Sequence, residues 1–263
     1  MRLSARVEGV GLVGPGLAGW ERSQAILSGR EPYAASPTAI PAPEALPATE
    51  RRRAGKSVKL ALAAGLAAAS ASGREARDLT AVFASSTGDG ENLHAICEAL
   101  ASDDRLISPT RFHNSVHNAP SGYWGIATGA THPADSLAAF DASFGAGLLE
   151  ALGRLAAEPS RPVVVIAYDA PYPEPLHATR PIPDGFAVAL TLACAELSVK
   201  GALIRVETCG EIPEKLDDAA LEAMRLAIPA ARSLPLLALL ARGEPGRTVL
   251  EYLDGLALWV TST

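Results

Sequence analysis

The stretch AFDASFGAGLLEAL, Ala139–Leu152, carries the most information about the fold of this chain. A short apolar strand is predicted over Ser136–Phe140, and a long helix is predicted over Ser143–Ala157. The small residues that follow Asp141 let the start of this helix pack closely against neighbouring backbone. Asp141 lies at the turn, where the positive end of the helix dipole favours a reactive anionic side chain such as a cysteine thiolate. The stretch therefore predicts a strand–turn–helix unit with Asp141 in a position suited to a nucleophile.

The rest of the chain predicts strands in alternation with helices, which is typical of a layered α/β fold with a mixed sheet. A first strand is predicted over Leu3–Val7, ended by the glycines that follow. Further strands are predicted near residues 79–85, 161–168, 185–194, 202–208, 248–253 and 256–261. Helices are predicted near residues 49–71, 92–101, 122–129, 217–227 and 230–241. The proline-rich segment 31–47 is predicted to be a surface loop. With 263 residues and 48% hydrophobic content, the chain can bury one sizeable core as a single domain.

Composition excludes several classes of function. The net charge of −6 argues against nucleic acid as the main partner. The three cysteines form no CxxC pair, which indicates reduced thiols in a cytoplasmic protein without a structural zinc site. The charged N-terminus does not fit a signal peptide, and the apolar run Ala61–Ala71 is too short to cross a membrane. The basic run Arg51–Arg53, with Lys56 and Lys59, is either a solvated helix start or a small docking patch for an acidic protein.

Several segments, in order, resemble the β-ketoacyl synthases of the thiolase superfamily. In that family a strand leads into an Ala-Cys-Ala-Ser-Gly turn and a helix ending Ile-Gly-Glu-Ala, and Asp141 falls where the family has its acyl-accepting cysteine. The other segments with a similar order cover about residues 3–195, leaving 196–263 as a C-terminal completion: Val10–Gly16 with Trp20 and Leu27–Gly29, Ala81–Gly88, Asn118–Gly122 and Pro183–Leu190. The resemblance implies a thiolase-like layered α/β/α half-fold.

The departures from the family pattern imply a subunit that does not catalyse. Condensation needs a thiol nucleophile and two histidines from the second half, and this chain has no histidine after His177. The chain is similar to the chain-length factors, and most of all to the short subunits linked to aryl polyene synthesis in polyketide and fatty-acid-like pathways. The implied partner is a full-length ketosynthase in a heterodimer that extends acyl chains on an acyl carrier protein. We expect no cofactor, metal or membrane insertion, and whether the isolated chain forms a homodimer stays open.

The resemblance also implies where the two subunits meet. Related synthases pair the strand before the nucleophile turn across a two-fold axis, so Ser136–Phe140 is expected to pair in that way. A bare apolar strand edge also needs a partner on physical grounds. The residues expected at the interface or acyl tunnel are Asn118, Tyr123, Trp124, Ser136, Leu137, Phe140 and Phe144. Core packing is the alternative for the bulky members of this set.

Four other hypotheses stay open at this stage. Asp141 is most simply a helix N-cap, contributing ~1 kcal/mol, and the alternatives are a decarboxylating or proton-relaying carboxylate and a role at an interface. His113 and His117 have the HxxxH spacing of a zinc site, against a hydrogen-bonded loop. The pattern Gly9-x-Gly11-x-x-Gly14 matches a dinucleotide fingerprint, but Pro15 and Gly16 follow where a helix should start. The runner-up function is a small serine hydrolase with Ser143 as nucleophile, Asp169 as acid and His177 as base.

Overall fold

The computed structural model describes residues 2–263, and its centre is one mixed sheet of nine strands. The strands are β1 (Arg2–Gly14), β2 (Leu17–Ala18), β3 (Thr80–Ala84), β4 (Ala134–Leu137), β5 (Val163–Asp169), β6 (Phe186–Ala193), β7 (Ala202–Cys209), β8 (Gly246–Leu253) and β9 (Leu256–Ser262). Their order is β4-β3-β5-β6-β1-β7-β9-β8, with β2 paired to the end of β1. β3 is parallel to β4 and β5, and the other pairs are antiparallel. The last three strands therefore extend the same sheet beyond β1.

Two layers of helices cover the two faces of the sheet. The helices are α1 (Trp20–Leu27), α2 (Ala48–Arg53), α3 (Lys56–Ser72), α4 (Gly90–Ala101), α5 (Pro109–Asn114), α6 (Ala119–Thr128), α7 (Ser143–Ala157), α8 (Leu176–Thr179), α9 (Ala219–Ala227) and α10 (Leu234–Arg242). One core lies under α3 and α6, and the other lies under α7, α9 and α10. Alternation along the strands divides the two cores: Phe83 faces α6, while Val82 and Ala84 face α7. The predicted layered α/β fold with a mixed sheet is confirmed.

The first strand is longer than predicted, because its glycines continue the strand. β1 runs through Gly9 and Gly11, and both lie against α3. A Cβ at Gly11 would lie 1.9 Å from the carbonyl oxygen of Ala64, and one at Gly9 would lie 2.2 Å from that of Ala68. The glycines therefore let a strand and a helix approach closely. The dinucleotide hypothesis is wrong, since Gly14 turns into the β2 hairpin through its pairing with Leu17 and not into a helix.

The helix predicted over residues 49–71 is in fact two helices. It breaks at Ala54, which has an extended backbone, and Gly55, where a Cβ would lie 2.5 Å from Asp89 Oδ2. The apolar run Ala61–Ala71 belongs to α3, whose buried residues pack on the sheet. Among residues 2–263, no helix has both the length and the apolar run that crossing a bilayer requires.

The strand–turn–helix unit at Ala139–Leu152 is present with shifted bounds. The strand predicted over Ser136–Phe140 is β4, which ends at Leu137. A 3₁₀ turn, Phe140–Ala142, follows, and α7 then begins at Ser143 as predicted. Phe140 cannot continue the strand because its φ is +52°. Since β3, β4 and β5 are parallel, the segments that follow these strands all leave from the same end of the sheet, the carboxyl end of its parallel strands.

Candidate functional site

The turn Phe140–Ala142 lies between β4 and α7, at the carboxyl end of the parallel strands. Ser143 holds the turn from both sides, because its Oγ accepts a hydrogen bond from the N–H of Ala139 at 3.0 Å and donates one to the carbonyl of Phe140 at 2.7 Å. The Ser143 side chain is buried, while the ring of Phe140 is 63% exposed. The turn therefore has a fixed backbone and presents an aromatic ring to its surroundings.

The carboxylate of Asp141 is paired with two arginines. Its Oδ1 lies 2.5 Å from Arg180 Nη2, and its Oδ2 lies 3.4 Å from Arg232 Nη2. Arg232 also pairs with Glu251 on β8. Burial lowers the pKa of Arg232 from its ordinary value, and the charge of Asp141 acts in the opposite direction. Both carboxylate oxygens of Asp141 are therefore engaged in ion pairs.

Arg225 extends the same network on the far side of Glu251. It lies 3.0 Å from Glu251 and 2.7 Å from Glu222, and its side chain is 5% exposed. The hydrogen bonds from Arg225 lower the pKa of Glu222 to about 2. Three arginines and three carboxylates, Arg180, Asp141, Arg232, Glu251, Arg225 and Glu222, thus form one chain of charges below the turn.

The prediction that Asp141 caps α7 is wrong. The residue at the N-cap position is Ala142, and no side chain accepts a hydrogen bond from the N–H groups at this end of the helix. Asp141 lies inside the 3₁₀ turn, where its side chain is directed to Arg180 and Arg232. The extra turn moves Asp141 one position too far from the start of α7 for capping geometry.

The hydrolase hypothesis lacks its geometry. Ser143 Oγ is engaged within the turn, as described above. Asp169 is fully buried and accepts hydrogen bonds from Ser85, Ser86, Thr87 and Ala230. Within residues 2–263, neither side chain has a hydrogen bond to His177, so the structure does not bring these three residues together as a triad.

The zinc hypothesis for His113 and His117 also lacks its geometry. His113 is in α5, but this helix ends at Asn114, so His117 lies outside it. The Nε2 of His117 instead lies 3.0 Å from the carbonyl oxygen of Ser85. In the part of the chain that the structure describes, no three His, Cys, Asp or Glu side chains form a group that could hold a metal ion.

Three of the residues predicted for the interface or tunnel belong to the core of this chain. Tyr123, Trp124 and Phe144 are at most 2% exposed, as the alternative of core packing predicts. Tyr123 hydrogen-bonds to Asn114, and Trp124 packs edge-to-face on Phe83 with ring centroids 6.3 Å apart. The helices α6 and α7 direct these side chains into the two cores, because their apolar faces cover the sheet.

The other predicted interface residues are accessible. Asn118 and Phe140 are exposed, and Ser136 and Leu137 on β4 are half-buried. Beside the turn lies an open cleft of about 680 Å³, lined by Phe140, Asp141, Arg232, Glu251 and residues from the β8–β9 turn. Phe140 is therefore the bulky residue of the predicted set that remains free to contact another molecule.

Sequence reasoning did not identify Arg180, Arg232 and Glu251 as site residues. Arg180 follows a proline-rich loop and Glu251 lies on a strand, and neither position carries a local signal. Arg232 does carry one, because it is the only charged residue in the segment Ile228–Ala241, which apart from Ser233 is otherwise apolar. A lone arginine inside an apolar segment indicates a buried ion pair.

The geometry defines a class: a thiolase-like α/β protein whose strand–turn–helix unit lies at the carboxyl edge of a mixed sheet. A family model described as "Beta-ketoacyl synthase, N-terminal domain" matches residues 20–245. The chain belongs to this family. No protein among the curated sequences matches the chain.

Solved structures share the fold across almost the whole chain. One is the ketosynthase ApeO in complex with its chain length factor ApeC from Xenorhabdus doucetiae, with a TM-score of 0.75 and 24% identity over 98% of this chain and 99% of that one. Another is the ishigamide ketosynthase/chain length factor, with a TM-score of 0.71 and 16% identity over 99% of each chain. A third is the type II polyketide synthase complex AntDE:AntF, an acyl-carrier protein with its ketosynthase, with a TM-score of 0.73 and 11% identity over 100% of this chain and 99% of that one.

Proposed function

We propose that this chain is a non-catalytic subunit of the chain-length-factor type, which pairs with a ketosynthase and limits the length of the acyl chain that the partner builds. The observation that carries the proposal is the state of Asp141. By resemblance it occupies the position of the acyl-accepting cysteine, and here its carboxylate is bound by two arginines. A carboxylate held in two ion pairs does not supply the thiolate nucleophile that acyl transfer needs.

The free edge of the sheet supports a partner subunit. β4 is the terminal strand, and within residues 2–263 its only strand neighbour is β3. The carbonyl of Leu137 points toward β3, because it accepts a hydrogen bond from the N–H of Ser85 at 3.1 Å. The backbone groups of Ser136 therefore point outward, since successive residues alternate along a strand. An uncovered edge of this kind is a site for pairing with another chain.

Exposed apolar side chains accompany this edge. Ile126 lies on α6, which packs beside β4, and it is 48% exposed. Val116 and Phe112, in the segment that leads into α6, are 52% and 67% exposed. In this proposal these exposed apolar side chains are candidates for contact with the partner subunit.

The three solved structures described above contain a ketosynthase with a chain length factor or with an acyl-carrier protein, which supports a ketosynthase as the partner and an acyl carrier protein as the carrier of the substrate. We infer a cytoplasmic heterodimer in a polyketide or fatty-acid-like pathway, with aryl polyene synthesis as the specific pathway. The basic run Arg51–Arg53 is exposed. In this proposal its positive charge attracts the acidic carrier protein.

The test is co-expression with the ketosynthase encoded nearest to this gene, followed by light scattering and by mass spectrometry of the product. We expect a one-to-one complex, no condensing activity from the chain alone, and a changed product length with Phe140→Ala. The matched control is Leu197→Ala, which removes an exposed apolar side chain just after β6, at the opposite end of the strands from the turn. A chain that remains alone beside this ketosynthase, and that cleaves p-nitrophenyl esters until Ser143→Ala abolishes the cleavage, would contradict the proposal.

A further inference from the structure

Phe140 combines two unfavourable features, a left-handed backbone and an exposed aromatic ring. Its φ of +52° lies in a region that residues with a side chain rarely adopt. Its ring is 63% exposed, so burial in the core does not compensate for the strain. A strained residue of this kind persists only where its surroundings hold it, and such residues concentrate at functional sites.

Arg180 is the side chain that contacts both Phe140 and its neighbour Asp141. The guanidinium carbon of Arg180 lies 3.7 Å from the centroid of the Phe140 ring, which is a close cation–π contact. The same guanidinium pairs with the carboxylate of Asp141 through Nη2. Arg180 therefore stabilises the side chain of the strained residue, while Ser143 stabilises its backbone.

Arg180 is itself held in place by the chain of charges below the turn. The second oxygen of Asp141 binds Arg232, whose side chain is 11% exposed and pairs with Glu251 on β8. The position of the guanidinium is thus connected, through Asp141, to a buried arginine and a strand of the sheet. An arginine whose only role was to keep the surface soluble would not need this connection to Arg232.

We propose that Arg180 is the positioning residue of Phe140: it holds the ring at the edge of the 680 Å³ cleft, so that the ring is a fixed apolar stop for an acyl chain. This inference rests on the proposed function, because it names the pair of residues through which this subunit limits chain length. Arg180 touches no acyl chain itself and acts through the orientation of the ring.

The experiment uses the co-expressed complex and measures the distribution of product lengths. Arg180→Gln removes the charge, Arg180→Lys keeps it without the planar guanidinium, and Phe140→Ala removes the ring. We expect Arg180→Gln and Phe140→Ala to reduce the share of the main product at least two-fold in the same direction, with Arg180→Lys between them and the parent. The double variant should equal Phe140→Ala, because Arg180 acts only through the ring.

The matched control is Arg161→Gln, which breaks another surface ion pair, with Glu158 beyond the end of α7, and should leave the distribution unchanged. A shift with Phe140→Ala but not with Arg180→Gln would overturn this inference and leave the proposed function standing. An additional shift in the double variant would overturn it as well.

A second measurement does not require the partner subunit. A crystal structure of the isolated Arg180→Gln chain should show the ring of Phe140 displaced or in several conformers. A ring that keeps its place without Arg180 would overturn the inference, whether or not the ketosynthase complex forms. If the parent chain forms no complex, the proposed function fails, and this structure still decides the positioning role.

Discussion

At the scale of single residues, Asp169 is the buried polar group that joins the two halves of the chain. Its Oδ1 accepts hydrogen bonds from the loop after β3, and its Oδ2 accepts one from the N–H of Ala230 at 2.8 Å. Burial raises the pKa of Asp169 to about 7, although these hydrogen bonds act in the opposite direction. The carboxyl group therefore keeps its proton in the folded chain at pH values where the unfolded chain has lost it.

This shift predicts a loss of stability as the pH rises. Between the unfolded pKa of about 4 and the folded pKa, the folded state binds more protons, so the free energy of unfolding falls with increasing pH. From pH 5 to pH 8 we expect a decrease on the order of 2 kcal/mol in the parent relative to Asp169→Asn, measured by urea unfolding. Asp78→Asn makes the same substitution at an exposed aspartate and is the matched control. Equal pH dependence in the parent and in Asp169→Asn would contradict the prediction.

At the scale of elements, the contact of β1 with α3 depends on the absence of side chains. Gly11→Ala would place a Cβ 1.9 Å from the carbonyl oxygen of Ala64, and backbone on both sides must then move apart. We expect this variant to lose about 1–3 kcal/mol in the free energy of unfolding, as overpacked cores do. Chemical denaturation of the purified variant measures the loss.

The matched substitution is Gly153→Ala on α7, where a new Cβ meets no atom within 4 Å. Because alanine favours helix over glycine, this control should be neutral or more stable by up to about 1 kcal/mol. If Gly11→Ala were as stable as the parent, the close approach of β1 to α3 would be wrong.

For the molecule as a whole, the two outer strands of the sheet, β4 and β8, differ in what covers them. At the β8 end, the N–H of Glu214 donates to the carbonyl of Val249 at 3.0 Å and covers part of the strand. At the β4 end, the outward backbone groups of Ser136 have no strand beside them within residues 2–263. If the ketosynthase pairs with β4, Ser136→Pro removes a donor from the shared ladder without disturbing the contact with β3.

We therefore expect Ser136→Pro to weaken the complex at least ten-fold in Kd while the isolated chain keeps its melting temperature. Analytical ultracentrifugation of the purified subunits measures the affinity. Ser136→Ala removes the hydroxyl but keeps the N–H, and it should bind like the parent. Unchanged affinity of the proline variant would place the partner on another surface.

Local patterns in the sequence were sufficient for most of the fold. The helix of Ser143–Ala157 was predicted to the residue, and the apolar strand at 161–168 differs by two residues or fewer at each end. These elements follow from apolar periodicity and from small residues at a turn, which act over a few neighbours. The position of Asp141 at the strand–helix turn followed from the same local pattern. The failures, such as the end of β1 and the break at Ala54, occur where a neighbouring element decides the backbone.

Local sequence thus accounts for the alternation of strands and helices, for the family resemblance and for the place of Asp141 in it. The ion-pair partners of Asp141 follow only from the packed chain. Its partner Arg180 follows α8, its partner Arg232 lies in a 3₁₀ turn before α10, and Arg180 also contacts the ring of Phe140. Ion pairs and ring contacts of this kind depend on which loops the sheet order brings to one edge, and that order is a property of the packed chain and not of any local segment.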